Sequence, residues 1–582
     1  MARAAEAVSD SEVRSTDVDV AILGGGIAGL TLALQLKRAL PDLDVLVIER
    51  EAHPVPEAAH KVGESSVEMQ AHYLRDVLGL QAHLENDHLR KFGLRIFFPH
   101  GDNSDIAERV EFGQVEEAPL ATYQLDRGRL ENYLARAVAD LGVRFHDNSR
   151  VRHVELGEAD KPHRVEMTDH TGSAAVVNAR WAIDASGRAA LLKRQLGLAK
   201  PVGHKASSAW FRIGHQIAVD DWSSDPDWQA RANLERGPYG RKGGPRYLST
   251  NHLMGPGYWV WLIPLASGAT SIGIVADGQM HPPRGFNTRD RALAWLDAHE
   301  PQCAAAIRRH QDAIKDFRVM TDYAYSSKAV YSPHRWCLTG EAGVSIDPLY
   351  SSGGDLMGIS NGLITDLIQR DFAGEDITEQ VVAHNQVYLV LSEIWLVAYD
   401  KQYPLMGNAQ VMVAKVIWDT IMYWAVPGLL FFHEKIPRLG DSAPAMVNLM
   451  RAWKIHERVQ KFYREWHSVD NEPAARVFAD PYTLMKFIVD LHEGMDAGLP
   501  DAELERQFDA NVRLLEQIAG QLADTVVASL SRSDDPATVA QVASWEADSM
   551  LSELRALHLR MSETNPIDDA WITLGRQSPS LA

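Results

Sequence analysis

The feature that most constrains the fold of this 582-residue chain lies near its start. Residues 18–23, VDVAIL, form a short apolar run rich in β-branched residues, the pattern of a buried parallel strand. GGGIAG follows at once, placing Gly24, Gly26 and Gly29 in a Gly-x-Gly-x-x-Gly spacing around Ile27 and Ala28, and LTLALQLKRAL then carries a helical pattern. A second strand, DVLVIE, ends at Glu49, 20 residues beyond Gly29. Strand, glycine turn, helix, strand and acid in that order are the fingerprint of a dinucleotide-binding unit. Gly24 permits the tight turn, Gly26 lets the backbone approach a pyrophosphate, and Gly29 lets helix and strand pack closely. The helix N-terminus offers free N–H groups to phosphate, and Glu49 can accept hydrogen bonds from ribose hydroxyls. The fingerprint alone does not separate FAD from NAD.

Composition narrows the class around that unit. With 46% hydrophobic and 23% charged residues the chain has ample material for a core, which excludes a disordered, collagenous or disulfide-scaffold protein. A net charge of −20 repels phosphate and argues against nucleic-acid binding. Cys303 and Cys337 are too few for a disulfide framework and read as small buried hydrophobes. The N-terminus lacks the apolar core of a signal peptide, and residues 1–16 are expected to be disordered. The greasiest stretch, Ile421–Phe432, is too short to span a bilayer and contains Pro427 and Gly428. The expectation is a cytoplasmic protein with no transmembrane segment. None of the 23 histidines has a metal-site spacing, so no metal is expected.

Two later segments decide the cofactor. WAIDASGR (181–188) is an apolar strand ending at Asp184, followed by Gly187, and WCLTGEAGVSIDPLYSSGGDLMGISNGLITDLI (336–368) is a strand, a Gly-Glu turn and a glycine-punctuated loop running into a helix. These resemble the second and third FAD contacts of the flavin monooxygenase superfamily, where the second acid holds the ribityl chain and the following helix points its N-terminus at the flavin. Here that acid is Glu341, where the superfamily usually has Asp.

Four further features resemble the flavin-dependent halogenases. KVGES (61–65) stands where that family has a Gly-Glu-Ser or Gly-Glu-Ala loop beside the flavin. YWVWLIP contains Trp259-x-Trp261-x-Ile263-Pro264, matching the family's WxWxIP signature. Without function, the same run reads as a strand with two aromatics on one face. Lys91, 27 residues after Glu64, stands where the family places its essential lysine, although spacing alone would favour a surface lysine. DPLYSSGG (347–354) resembles the loop whose backbone amides hold flavin and halide, with Ser351, Ser352 and Gly353 on the halide side.

The resemblance implies a halogenase in which reduced FAD, O₂ and chloride or bromide yield hypohalous acid, and a lysine holds it against an electron-rich aromatic. Lys91 would be that lysine, since a buried ammonium shifts its pKa readily. Glu64 would be a second catalytic or structural carboxylate. FAD would be bound by Gly24, Gly26, Ile27, Ala28, Gly29, Glu49, Arg50, Ser65, Arg127, Asp184, Gly187, Glu341, Asp347 and Gly353. Trp259, Trp261, Ile263 and Pro264 would keep substrate from the flavin. Tryptophan-type members carry a Glu where this chain has Tyr350, which leans the substrate towards phenols or pyrroles, free or carrier-tethered. No second nucleotide fingerprint appears, because GPYGRKGGP (237–245) has no flanking apolar strand. Reduced flavin would therefore come from a separate reductase.

The expected architecture is mixed α/β. A Rossmann-type FAD-binding domain spans 17–200 and 330–372, a substrate sheet 201–329, and a helical region 373–582. Within these, RYLST is expected as a strand and Val411–Phe432 as a buried helical hairpin, with a pocket wall or peripheral membrane contact as its functional alternatives. Two other readings of the chain are a monooxygenase or dehydrogenase on the same scaffold, and a flavin-binding protein without turnover.

Overall fold

The computed structural model describes residues 14–58, 61–158, 161–232, 234–470, 474–545, 552–556 and 570–574. Residues 1–13 of the N-terminus expected to be disordered lie outside these. Arg14–Thr16, by contrast, already pair with Ala175–Val177 as the start of a strand.

The apolar run at the N-terminus becomes the strand Arg14–Leu23, the centre of a seven-stranded sheet. It runs parallel to Val45–Ile48 on one side and to Ala174–Asp184 on the other, and Arg144–His146 extends the parallel set. Ala174–Asp184 pairs antiparallel with His163–Thr168 and, at its C-terminal end, parallel with Trp336–Leu338. The helix Ile27–Ala39 packs against Arg127–Asp140 and Gly353–Phe372. Leu23, Ile48 and Ala185, at the C-terminal ends of the parallel strands, line an open cleft. That edge is where an α/β sheet of this type takes a ligand.

A second, eight-stranded sheet stands over the cleft in the order Arg318–Met320, Ala206–Ile213, Thr270–Asp277, Tyr258–Pro264, Thr250–Gly255, Leu94–Phe97, Glu111–Phe112 and Phe478–Ala479. It is not confined to residues 201–329. Two strands come from the first hundred or so residues and one edge strand from the helical region. RYLST is not a strand: Arg246–Leu248 form a 3₁₀ turn, and the strand begins at Thr250.

The helical region holds Thr378–Val397, Ala409–Tyr423, Ala443–Val469 and Asp501–Leu530. The stretch Val411–Phe432 is not a hairpin. It is one continuous rod in which a π turn, Trp424–Gly428, joins Ala409–Tyr423 to Leu429–Phe432. Pro427 has no N–H to donate, and the wider turn absorbs that missing bond without reversing the chain. Both cysteines are buried. Among the described residues no helix is long and apolar enough to cross a membrane.

Candidate active site

The cleft has a volume of about 800 Å³. Gly24 has φ +123°, and a Cβ there would meet the Ala185 carbonyl at 2.4 Å; a Cβ on Gly29 would meet the Gly24 carbonyl at 1.9 Å. A Cβ on Gly26 would find only the Lys61 Nζ, at 3.7 Å, so the turn presents bare backbone to the cleft. Glu49 accepts from the Gly25 and Glu51 amides at 2.6 and 2.8 Å, which fixes its carboxylate beside the turn. Gly24, Gly26, Ile27, Ala28, Glu49, Arg50, Arg127, Gly187 and Glu341 all line this one cleft. A glycine cradle at a helix N-terminus, a ribose-side acid and a long cleft fit an adenine dinucleotide.

Asp184 stands apart from the cleft lining. It is fully buried, and its carboxylate accepts from the Ser186 amide and hydroxyl at 3.0 and 2.5 Å and from the Leu192 amide at 2.8 Å. It shapes the turn that carries Gly187. Arg127 bonds the Val62 carbonyl and Glu131, bracing the loop that follows.

That loop carries Glu64 and Ser65. Glu64 accepts from Arg212 Nε at 2.8 Å, while Arg212 also donates to the Lys61 carbonyl at 2.5 Å and to Asp316 at 2.7 Å. Burial pushes the Glu64 carboxyl up, against the pull of Arg212 and a hydrogen bond from Ser271. Glu64 is therefore tied into the loop as an ion pair. Ser65 contacts the Thr250 hydroxyl at 2.9 Å and accepts from Lys91 Nζ at 3.0 Å. Lys91 also donates to the Ser66 carbonyl at 2.8 Å. It is buried, not superficial, and burial lowers its pKa to about 8 against the opposing charges of Glu68 and Asp355.

The Asp347–Gly354 loop is anchored by its first residue. Asp347 Oδ2 accepts from Tyr403 at 2.6 Å and Tyr323 at 2.7 Å and lies 2.8 Å from His204 Nε2; Oδ1 accepts from the Leu349 amide at 3.0 Å. Burial alone would raise this carboxyl, but His204 and the two phenols hold it below the usual range. Ser351 lines the cleft with φ +59°, an uncommon backbone state for a residue with a side chain. Gly353 lines it too, at the N-terminus of the helix Gly353–Phe372. Ser352 does not: it is buried, with its hydroxyl 3.4 Å from that of Tyr399.

Trp259, Trp261 and Ile263 alternate along one strand face and line the cleft, while Pro264 lies just beyond its lining. The indole of Trp259 donates to Tyr403 at 2.9 Å and that of Trp261 to Ser271 at 3.2 Å. A Cβ on Gly273 of the neighbouring strand would meet the Trp261 ring at 2.2 Å, so the ring occupies space a side chain would need.

A second cavity, of about 110 Å³, shares no lining residue with the cleft. Lys91 and Glu68 line it, as do Tyr350, Trp395, Asp419, Tyr423, Trp424 and His456. Sequence reasoning placed Lys91 and Tyr350 but missed Asp419 and His456, which come from distant helices and carry no local motif. It also missed Arg212 and the His204–Tyr323–Tyr403 clamp, whose members are scattered along the chain. Period-two alternation beside WxWxIP was the available signal for Thr250 and His252, the cleft-lining residues of the next strand.

Residues 17–256 match the FAD binding domain family. The chain is 27% identical over 452 residues to flavin-dependent halogenase chlA of Dictyostelium discoideum, covering 73% of this chain and 72% of that protein. It is 26% identical over 353 residues to the 1H-pyrrole-2-carbonyl-[peptidyl-carrier protein] chlorinase of Pseudomonas fluorescens, covering 58% and 72%. Its fold is like that of the crystal structure of halogenase PltM in complex with ethyl mercury and mercury, with a TM-score of 0.61 at 17% identity over 85% of this chain and 96% of that one.

Proposed function

Since this chain is an FAD-dependent oxidoreductase of the flavin-dependent halogenase family, we propose that it is the halogenating component of a two-component system acting on an electron-rich aromatic, phenol- or pyrrole-like. Bound FAD, reduced by a separate reductase and met by O₂, supplies the two-electron oxidation of chloride or bromide to hypohalous acid. The chain's own residues divide the remaining work. Glu49 and the Gly24–Gly29 turn would hold ribose and pyrophosphate, Arg127 would brace the pyrophosphate side, and Glu341 would meet the ribityl chain. Gly353 offers its backbone amide to halide at the helix N-terminus, beside Ser351, whose own amide donates to the Pro348 carbonyl at 3.0 Å. Trp259, Trp261 and Ile263 keep the substrate ring off the flavin. Lys91 holds the hypohalous acid against the ring, and Tyr350 lies on the substrate side. The substrate is free or tethered to a carrier protein, as the name of the pseudomonad relative states for that enzyme.

One observation supports this reading above the others. Lys91 is a buried ammonium that lines the small second cavity yet hydrogen-bonds to Ser65, a residue of the cleft. An oxygenase that delivers oxygen directly from flavin to substrate has no use for a lysine between two separate cavities.

The test supplies reduced FAD, O₂ and bromide or chloride with phenol, indole and pyrrole panels, while free hypohalite is scavenged. Mass spectrometry should show the halogen isotope pattern, and Lys91→Ala should abolish it. A product heavier by one oxygen, or flavin reoxidation with no product, would overturn the proposal.

A further inference from the structure

The helix Gly353–Phe372 starts without a cap. Ser352, the residue before it, makes no side-chain hydrogen bond to the first turn. The helix's first bond runs from the Leu356 amide to the Ser352 carbonyl at 3.1 Å, so the amides of Gly353, Gly354 and Asp355 have no partner within it. Gly353 and Gly354 both line the cleft. A Cβ on Gly353 would meet nothing within 4 Å, which leaves room for a small ion against bare backbone. A helix N-terminus alone favours an anion without choosing one.

Gln70 supplies what the helix lacks. Its backbone amide donates to Asp355 Oδ1 at 2.9 Å, which ties it to the first turn. Its side-chain amide lies over Gly354: a Cβ there would meet Gln70 Cδ at 2.0 Å, Oε1 at 2.1 Å and Nε2 at 2.6 Å. The residue is only 3% exposed and lines the cleft. Among the described residues its side chain makes no hydrogen bond, yet neither amide atom is sealed off, so the small surface it keeps includes both and opens on the cleft. With neither end held, the amide can turn its NH₂ to a ligand. Burial and the charge of Glu68 push the Asp355 carboxyl well above its usual range, while Lys91 acts in the opposite sense. At neutral pH no ionised acid therefore stands in the first turn to repel an anion.

We propose that Gln70 is a halide-binding residue: its side-chain N–H, with the backbone amides of Gly353 and Gly354, encloses a chloride or bromide ion at the helix N-terminus. The inference rests on the reading of the cleft as the place where halide is oxidised. It adds the side chain that holds the ion there. Once FAD displaces water from the cleft, an unpaired amide needs a ligand to replace its lost hydrogen bonds, and the ion accepts what the amide has to give. The flavin edge is the competing occupant.

Halide binding is read without turnover. Chlorine-35 line broadening is followed on the oxidised, FAD-loaded full chain, with gluconate holding the ionic strength. Wild type should broaden the line saturably, and excess bromide should remove the broadening. Gln70→Leu should weaken chloride at least about fivefold and leave FAD affinity, followed by flavin fluorescence, within about twofold. Gln70→Glu, of the same shape but with an acceptor in place of the NH₂, should weaken chloride further. Anomalous diffraction from bromide-soaked crystals of the wild-type holoprotein should place the ion within hydrogen-bond reach of Gln70 Nε2 and the Gly353 amide, so a variant that misfolds leaves the test intact. No saturable chloride binding, equal chloride affinity in wild type and Gln70→Leu, a bromide ion away from Gln70, or a loss of FAD affinity matching that of chloride would each overturn the inference. Chloride held at Gln70 without halogenated product would sink the halogenase reading and leave this one standing; halogenated product with the ion held elsewhere would do the reverse.

Discussion

Lys91 donates to Ser65 Oγ at 3.0 Å across the partition between two cavities that share no lining residue. The serine belongs to the cleft and the lysine to the chamber behind it. Their hydrogen bond is thus a direct contact through the wall, held on the cleft side by the Thr250 hydroxyl and on the other by the Ser66 carbonyl.

Lys91 should cost the fold stability. Its folded pKa of about 8 lies below the ordinary lysine value of 10.5, so the unfolded chain binds more protons between those values. Stability should therefore rise as pH increases from about 8 to about 10, and the penalty should be fully present below pH 8. Lys91→Met should lose halogenation yet gain on the order of 1–3 kcal/mol at pH 7. Chemical denaturation of both proteins at pH 7 and 10 checks this; equal pH dependence in the two would refute it.

Glu64 should behave as a loop anchor. In Glu64→Gln, Arg212 keeps Asp316 and can still donate to the amide oxygen. Stability should then change by no more than about 1 kcal/mol, with turnover within about tenfold of wild type. Glu64→Ala leaves the guanidinium short of a buried partner and should cost about 3–5 kcal/mol. Comparable collapse of turnover in a stably folded Glu64→Gln would instead give this carboxylate a direct part in the chemistry.

Gly273→Ala should displace Trp261, whose ring lies 2.2 Å from where the new Cβ would be. The expected price is about 1–3 kcal/mol of stability. Shielding of the flavin should fail as well, seen as flavin oxidation running ahead of product formation. Oxygen consumption measured against halogenated product reads that ratio directly, and an unchanged ratio would mean that Trp261 shields nothing.

Asp347→Asn can keep an oxygen towards His204, Tyr323 and Tyr403 only by turning its NH₂ towards the Leu349 amide N–H, and with the lost charge should cost on the order of 3 kcal/mol. Because the wild-type carboxyl is held below the ordinary aspartate value of 3.8, its contribution is present above about pH 4 and disappears as pH falls through the lower folded value. Acid unfolding of the variant should lack that component. FAD affinity, followed by flavin fluorescence, should fall with the loss of the Ser351 backbone geometry.

Legibility in the sequence followed the range of the interactions. The glycine turn, Glu49 and the strand carrying Trp259 and Trp261 are local patterns, readable because backbone geometry and side-chain alternation act over a few residues. Lys91 was readable only through its register with other motifs, since nothing within ten residues announces its burial. The clamp on Asp347 was not readable at all: His204, Tyr323 and Tyr403 meet only when two sheets and a helical region close on one another. The π turn escaped because Pro427 and Gly428 are as good a signal for a reversal as for a widened helix. Asp419 and His456 are ordinary polar residues in helical patterns until the fold buries them together.

The edge strand Phe478–Ala479 and the cavity wall at Ile488 also set an order of assembly. Every residue lining the cleft has left the ribosome's catalytic centre once Met357 is made, whereas the chamber behind it is still missing walls until Ile488. Chains fold from the N-terminus as they are synthesised. The lining of the cleft is therefore the first of the two to be synthesised, and that of the chamber is finished last.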